Sequence, residues 1–592
     1  MAPAPSPLIR FLHLLVPVVV LALLGGAVAP VAHAEGLRYR VVVEAPSPFA
    51  AMLQDGLTLV RWRDDEQMTR GLLEQLVIDA RTEATRAMAA EGHFSATVES
   101  EITEGSPEWT VRLAVRPGPL TRVESVEIRF RGAVLERDGD NARRAAVRRA
   151  WPLLPGSPFR QVDWDAAKLR ALEELARLDY AGASLAFSEA RVDPSRETAV
   201  LSIELDSGPP FRFGALEARG LSRFDESIVQ NLNLLRRGDR FDADRVAQFE
   251  RRLVNSGYFA GARVAVDADH ARADDAPVVV ALVEMRRRRV DAGINYSTDS
   301  DFGLNAEFYE RNLFDRQWRL RANAVVDSSV RKLGFNIDLP PRPDQTWFFN
   351  ETAILRTTIQ GQRSDSVYTG FGLNWGNETV PSTVFGAYVF DRQYVTGADE
   401  TTSKALYFAY RHVFSKTDDV FRPRRGVLGS AEIGTSVPGA STRSFQRATL
   451  KVNGFIPAGR EVDVNLRCEL GAVFAGESGG IPTMFLFRTG GDQTVRGYAY
   501  DSIGVQQGSA VVGGRYLGVA SAEAIYWFRG DIGAAMFVDA GDAVDDFKDF
   551  SPKVGYGVGF RWRSPIGPFR VDVAYGQATG SVRLHLSVGY AF

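Results

Sequence analysis

From Val290 onward the sequence is built of segments about ten residues long in which apolar and polar side chains alternate, separated by Gly, Asp, Asn, Ser and Pro. In Lys553–Ser564, Val554, Tyr556, Val558, Phe560 and Trp562 share one face of an extended chain, and Lys553, three glycines, Arg561 and Arg563 share the other. Further on, Phe569, Val571, Val573 and Tyr575 oppose Arg570, Asp572 and Ala574. In the last segment Val582, Leu584, Leu586, Val588, Tyr590 and Phe592 oppose Arg583, His585, Ser587, Gly589 and Ala591. A period of two belongs to strands, and an apolar face with aromatic ends suits lipid. In lipid no backbone group can stay unpaired, so a sheet made of such strands has to close on itself. Sixteen segments start near 290, 302, 318, 331, 346, 366, 382, 402, 426, 444, 461, 517, 532, 553, 568 and 582. They predict a sixteen-stranded antiparallel transmembrane β-barrel over residues 290–592. A soluble β-sandwich would also alternate, but it leaves the aromatic outward face of an exported chain without a reason.

Export is predicted by the first residues. Arg10 precedes the apolar run FLHLLVPVVVLALL, and Ala32-His33-Ala34 offers a small-residue cleavage site, so residues 1–34 read as a signal peptide. No later run approaches the ~20 continuous apolar residues of a transmembrane helix.

Between Glu35 and Arg289 the period changes, and one order of elements recurs three times. Strand-like RYRVVVEA, VESVEIRF and FRFGALEARG each lead into helical runs and then into two more strand-like runs. Gly156-Ser-Pro-Phe159 and Gly238-Asp-Arg-Phe241 each introduce a helix expected to be capped by an acid, Asp163 in one copy and Asp242 or Asp244 in the other. Those helices end in matching turns, Tyr180-Ala-Gly-Ala and Phe259-Ala-Gly-Ala. The seams match as well, with Pro117-Gly118-Pro119 before the second copy and Gly208-Pro209-Pro210 before the third. Three tandem α+β domains of β-α-α-β-β order are therefore expected, over 35–118, 119–209 and 210–289.

Several functions are excluded by composition. A net charge of −3 leaves no footprint for nucleic acid. A single Cys468 and six scattered histidines provide no metal-ligand spacing, and no phosphate-binding loop is present, so neither metal nor cofactor is expected. No nucleophile–base pair stands out, and an enzymatic reading has nothing to rest on. The basic run Arg286–Arg289 is expected to be solvated or to meet anionic headgroups.

One long interruption, 476–516, separates the eleventh and twelfth segments and carries FRTGGDQTVRGYAY, Phe487–Tyr500. Its position, its Gly490-Gly491-Asp492 and Val495-Arg496-Gly497-Tyr498 steps and the final strands resemble the outer-membrane protein assembly factors of the BamA/TamA kind. Members carry periplasmic POTRA domains ahead of a sixteen-stranded barrel, and their sixth extracellular loop folds inside. The resemblance implies that Arg496 locks that loop to acids on strands twelve and thirteen, whose counterparts are Glu523 and Asp539. Alternation puts both carboxylates on the lumenal face, and Gly555, Gly557 and Gly559 leave the next strand bare enough for a loop to lie against it. A count of three POTRA domains resembles the TamA-like branch. That implies a TamB-like partner anchored in the inner membrane, unfolded outer-membrane or autotransporter clients, and outer-membrane lipid as surroundings.

Closure of the barrel requires its first and last strands to pair. Val290, Ala292, Ile294 and Tyr296 alternate only loosely with polar residues, and Gly589 weakens the last strand before Phe592. This seam is expected to be the weakest pairing and the place where an incoming strand is templated. The alternative function is a secretion pore of the two-partner kind or a conduit assisting lipid transfer.

Overall fold

A computed structural model describes residues 37–136, 140–377, 380–419, 422–564 and 567–588. The expected signal peptide, 1–34, and the seam residues Gly589 and Phe592 lie outside the described residues.

The N-terminal half contains three small sheets. The first domain runs β1 (Tyr39–Glu44), α1 (Phe49–Gly56), α2 (Thr58–Arg61), α3 (Arg70–Ala90), β2 (Thr97–Thr103) and β3 (Trp109–Arg116), with strand order β1-β3-β2. Helix α3 starts where the Thr69 hydroxyl accepts from the Leu72 amide at 3.3 Å. Its Leu73, Leu76, Val77, Ala80, Ala84 and Met88 recur at helical spacing and share one buried core with Val111, Leu113 and Val115 of β3. The second domain holds β4 (Arg122–Arg131), α4 (Asn141–Ala150), α5 (Gln161–Ala176), β5 (Ser184–Asp193) and β6 (Thr198–Asp206), in order β4-β6-β5. The third holds β7 (Phe213–Arg219), α6 (Ser227–Leu232), α7 (Ala243–Asn255), β8 (Phe259–Val266) and β9 (Ala276–Glu284), in order β7-β9-β8. Asp242 is the N-cap of α7, accepting from the Asp244 and Arg245 amides. Asp163 is not a cap. The chain enters α5 at Gln161, so this carboxylate sits inside the first turn, where it still complements the helix dipole. The chain forms two compact units, one with the first domain and most of the second, the other with the third domain and everything after it.

That second unit is dominated by a closed antiparallel barrel. Its first eleven strands are β10 (Arg288–Ser297), β11 (Asp301–Leu313), β12 (Trp318–Val326), β13 (Val330–Asp338), β14 (Thr346–Ile359), β15 (Gln362–Asn377), β16 (Val380–Val395), β17 (Thr401–Thr417), β18 (Gly426–Ser436), β19 (Gln446–Pro457) and β20 (Val462–Phe474). A short hairpin of β21 (Val505–Gln507) and β22 (Ala510–Val512) belongs to the following loop and not to the wall. The wall then resumes with β23 (Tyr516–Arg529), β24 (Ile532–Val544), β25 (Lys553–Ser564), β26 (Gly567–Gly576) and β27 (Ser581–Val588), sixteen strands in all. Each begins within four residues of its expected start. Alternation sorts the faces. Met536, Val538, Tyr556, Val558, Phe560 and Trp562 are exposed on the outer surface, whereas Asp539, Arg561 and Asp572 are buried inside.

The run Arg286–Arg289 is largely solvated, with Arg287, Arg288 and Arg289 39%, 70% and 61% exposed at their side chains, and these three also pair with acids. Arg287 Nε and Arg288 Nε each lie 2.8 Å from one oxygen of Glu310, a side chain only 5% exposed, and Arg289 pairs with Asp291 at 2.7 Å. The Tyr258 hydroxyl donates to the Gln317 carbonyl at 2.6 Å, and Arg311 Nε donates to the Gly257 carbonyl at 3.1 Å. The third domain is thus joined to the first barrel turn by directional polar bonds.

A further carboxylate holds that domain together. Glu284, the last residue of β9, has a side chain 2% exposed. It accepts from the amides of Ser222, Arg223 and Phe224 at 2.9, 2.9 and 3.0 Å, from the Ser222 hydroxyl at 2.7 Å and from Arg223 Nε at 3.0 Å. Burial pushes the carboxyl up, but these donors outweigh it and bring it down to about 2. A folded-state value below the unfolded one means stability that is complete above about pH 5 and is lost as pH falls toward 2. Glu284→Gln is therefore expected to cost on the order of 3 kcal/mol at neutral pH. Hydrogen exchange of the β9 amides should show the lost protection at pH 7 and little difference from the parent near pH 2.

Candidate functional site

Between β20 and β23 the chain turns into the barrel, and residues 483–503 lie inside it. The descent starts at a 3-10 turn, Thr483–Phe485. Asp391 of β16, fully buried, accepts there from the Thr483 amide at 2.7 Å and hydroxyl at 2.8 Å, while Ser366 at 2.8 Å and Gln393 at 2.9 Å fill its other positions. Phe485 packs among Tyr407 and Phe445, with ring centroids 4.7 and 5.0 Å away. This end of the loop is anchored through hydroxyl and amide donors to Asp391, through Arg447 Nε donating to the Phe485 carbonyl at 3.1 Å, and through aromatic packing.

A tight turn builds the other end. The Gly490 amide donates to the Thr494 hydroxyl at 2.9 Å, and the Gly491 amide donates to the Val495 carbonyl at 3.2 Å. The Asp492 amide reaches Asp299 Oδ2 at 2.6 Å, and Arg467 holds the Thr494 carbonyl at 2.7 Å. Val495 is completely buried. Gly497 takes φ +93°, a conformation that side chains rarely adopt. Tyr498 donates its hydroxyl to the Val554 carbonyl and accepts from the Ala578 amide, both at 3.0 Å. Lumenal Gly555 of β25 is needed for this approach, since a Cβ there would stand 1.8 Å from the Arg496 carbonyl.

Arg496 itself sits in a cage of carboxylates. Its Nε and Nη2 donate to Asp539 at 2.7 and 3.0 Å, a bidentate fork, and its amide adds a third bond to the same carboxylate at 3.1 Å. Nη1 reaches Glu523 at 2.6 Å and Asp572 at 3.2 Å. The guanidinium carbon lies 3.4 Å from the Phe537 ring centroid, so a π-face closes the remaining side. Arg561 mirrors it, joining Glu523 at 2.6 Å to Asp572 at 2.5 Å. Two guanidinium groups therefore hold three acids, all but Glu523 at most 5% exposed. The arrangement has no open coordination position and no poised nucleophile. What it does is fix a loop.

The structure thus brings Gly490, Gly491, Asp492, Val495, Arg496, Gly497, Tyr498, Glu523 and Asp539 to one place. Val290, Ala292, Ile294 and Tyr296 lie elsewhere, on β10, which pairs with β11 along its whole length from Arg288 to Ser297. Of these four only Tyr296 meets β27, opposite Val588, with Ser297 opposite Ser587 next to it. Thr298 continues the contact, its amide donating to the Leu586 carbonyl at 3.4 Å. Arg561, Asp572, Asp391, Asp299 and His585 were not singled out from sequence. Asp572 and His585 do occupy polar-face positions of their strands, a signal that alternation could have yielded.

A closed sixteen-stranded wall with an arginine-bearing loop lodged inside, following small β-α-α-β-β domains, defines a barrel of the outer-membrane kind. Residues 288–592, just over half of the chain, match the Omp85 superfamily domain, and the chain belongs to that superfamily. It is an outer-membrane protein, and its soluble domains have the POTRA architecture. The outer membrane protein assembly factor BamA of Nitratidesulfovibrio vulgaris is 23% identical over 432 residues, 67% of this chain and 53% of the relative. The BamA of Neorickettsia risticii is 22% identical over 413 residues, 64% of this chain and 54% of the relative. The chain thus spans about half the length of the curated relatives it matches. Among solved structures, BamA from Haemophilus ducreyi lacking POTRA domains 1-3 aligns with a TM-score of 0.62 at 15% identity, covering 80% of this chain and 100% of that one, a likeness of fold.

Arg496→Ala is expected to leave Asp539 and Glu523 buried with fewer donors, a loss of about 3–5 kcal/mol for a buried pair. The barrel should stay folded and resist SDS at low temperature while the loop becomes open to trypsin after Arg488. Arg496→Lys should recover only part of the protection, because one ammonium cannot reproduce the fork. If the two groups act as a unit, adding Asp539→Ala to Arg496→Ala should worsen it little, and fully additive losses would show that they do not.

Proposed function

We propose that this chain is an outer-membrane insertase, a subunit that assembles β-barrel or autotransporter proteins into the outer membrane. The observation that carries this reading is the seam. The barrel is closed by its first and last strands, β10 and β27, which meet directly with Tyr296 opposite Val588 and Ser297 opposite Ser587. An arriving strand can exchange backbone hydrogen bonds with such a closing pair one for one, so no ATP is needed. The edge so exposed templates a client strand by backbone hydrogen bonding. Outward-facing Val290 and Ile294, both well exposed, then guide the apolar face of that strand into lipid.

The POTRA domains lie in the periplasm in this reading. Each three-stranded sheet has two edges, and in the first domain these are β1 and β2. Such edges receive extended clients and a TamB-like protein anchored in the inner membrane. A secretion pore of the two-partner kind, or a lipid conduit, is less well supported, because the loop and its ion-pair cage occupy the lumen.

A photo-activatable residue at Ile294 should cross-link newly exported barrel proteins in cells, while the same residue at Phe390, on the outer face of β16, should not. Equal adducts at both positions would overturn the seam as the insertion site. Single-channel recordings should show a nearly closed barrel that conducts only once Arg496 is replaced. A wild-type barrel that conducts steadily would favour the pore.

A further inference from the structure

Three elements that are remote in sequence converge on one buried histidine. His585 projects inward from β27, with a side chain 1% exposed. Its Nε2 accepts from the Gly497 amide of the interior loop at 3.0 Å. An accepting Nε2 leaves the ring proton on Nδ1. Among the described residues that nitrogen has no hydrogen-bond partner, and it faces Asp299 Oδ1 at 3.6 Å. Asp299 lies in the turn just after β10, is 6% exposed at its side chain, and accepts from the Asp492 amide of the same loop at 2.6 Å. Beside it, Thr298 extends the seam: its amide reaches the Leu586 carbonyl at 3.4 Å, and its hydroxyl accepts from the Leu586 amide at 3.3 Å.

The geometry points to a latch in which Asp299 and His585 act as positioning residues, coupling closure of the β10–β27 seam to seating of the interior loop. The loop supplies one amide to each side of the seam, Asp492 to the first-strand turn and Gly497 to the last strand. With the loop withdrawn, a buried carboxylate and a buried imidazole each lose an amide donor, and each then gains by turning toward water. With the seam parted, the same two amides lose their acceptors. A 3.6 Å gap between Nδ1 and Asp299 means that a shift of less than an ångström decides whether the two strands are bonded there. The dependence is reciprocal, so a locked seam seats the loop and a locked loop closes the seam. This deepens the insertase reading and rests on it for its purpose: an arriving strand that parts the seam would also free the loop from the lumen.

The test uses the full chain in lipid, with Cys468→Ser as background and the register partners Ser297→Cys and Ser587→Cys joined across the seam by a disulfide or a short thiol cross-linker. With the seam unjoined, Asp299→Ala and His585→Ala should each raise trypsin cleavage after Arg488 by about tenfold, the effect of one lost buried hydrogen bond on an opening equilibrium. Joining the seam should restore protection. His585→Gln, which keeps an acceptor for the Gly497 amide, should retain most of it, a rescue that mere loss of packing would not give. Conversely, Arg496→Ala, a residue bonded to neither serine, should lower the yield of the seam cross-link. A loop freed by Arg496→Ala with unchanged cross-link yield, or a joined seam that leaves the loop as cleavable as before, overturns the latch. Should the Asp299 or His585 variants fail to fold, the Arg496→Ala arm decides alone. No client protein enters these readouts, so a failed client cross-link at Ile294 with this coupling intact would reject the insertase reading and leave the latch standing.

Discussion

A guanidinium inside a barrel is the interaction on which the rest of this structure depends. Sixteen strands enclose a lumen too wide for wall side chains to fill. A loop can occupy that space only if its backbone groups and charges find partners away from bulk water. Arg496 meets that condition by spreading its donors over Asp539, Glu523 and Asp572 while resting on Phe537. Desolvating so many charges is costly, and the cost is offset because Arg561 repeats the bridge between Glu523 and Asp572. Asp391 does comparable work at the far wall with hydroxyl and amide donors alone. The loop is thus pinned at two opposite places, and the glycines of β25 leave room for its backbone between them.

Around this plug the wall closes on itself through β10 and β27, with Tyr296 opposite Val588 and Ser297 opposite Ser587. Where the barrel meets the third POTRA domain, Glu310 takes both Arg287 and Arg288, and Tyr258 and Arg311 bond to the backbone across the junction. Asp299 and His585 bring the seam into contact with the interior loop that carries Arg496.

Much of this was legible in the sequence because its causes are local. A period of two with aromatic ends specifies a lipid-facing strand whatever lies beside it, so the sixteen strands and their inward faces could be read directly, Asp539 and Glu523 among them. Capping was legible where the acid stands at the boundary itself, as Asp242 does, and misread where the helix begins two residues earlier, as at Asp163. The shared partner of Arg287 and Arg288 was not legible, because Glu310 reaches them only through the register of β10 on β11.

What the sequence determined by itself is therefore the set of elements, their outward and inward faces, and the arginine that would need acids around it. That Asp572 joins Asp539 and Glu523 around it was decided by tertiary structure alone. Asp572 stands 76 residues beyond Arg496 and His585 stands 88 beyond Gly497. Asp299 lies 193 residues before Asp492. No local pattern encodes those separations. They follow from closing a sheet on itself, which brings the first and last strands together and folds the longest loop against both.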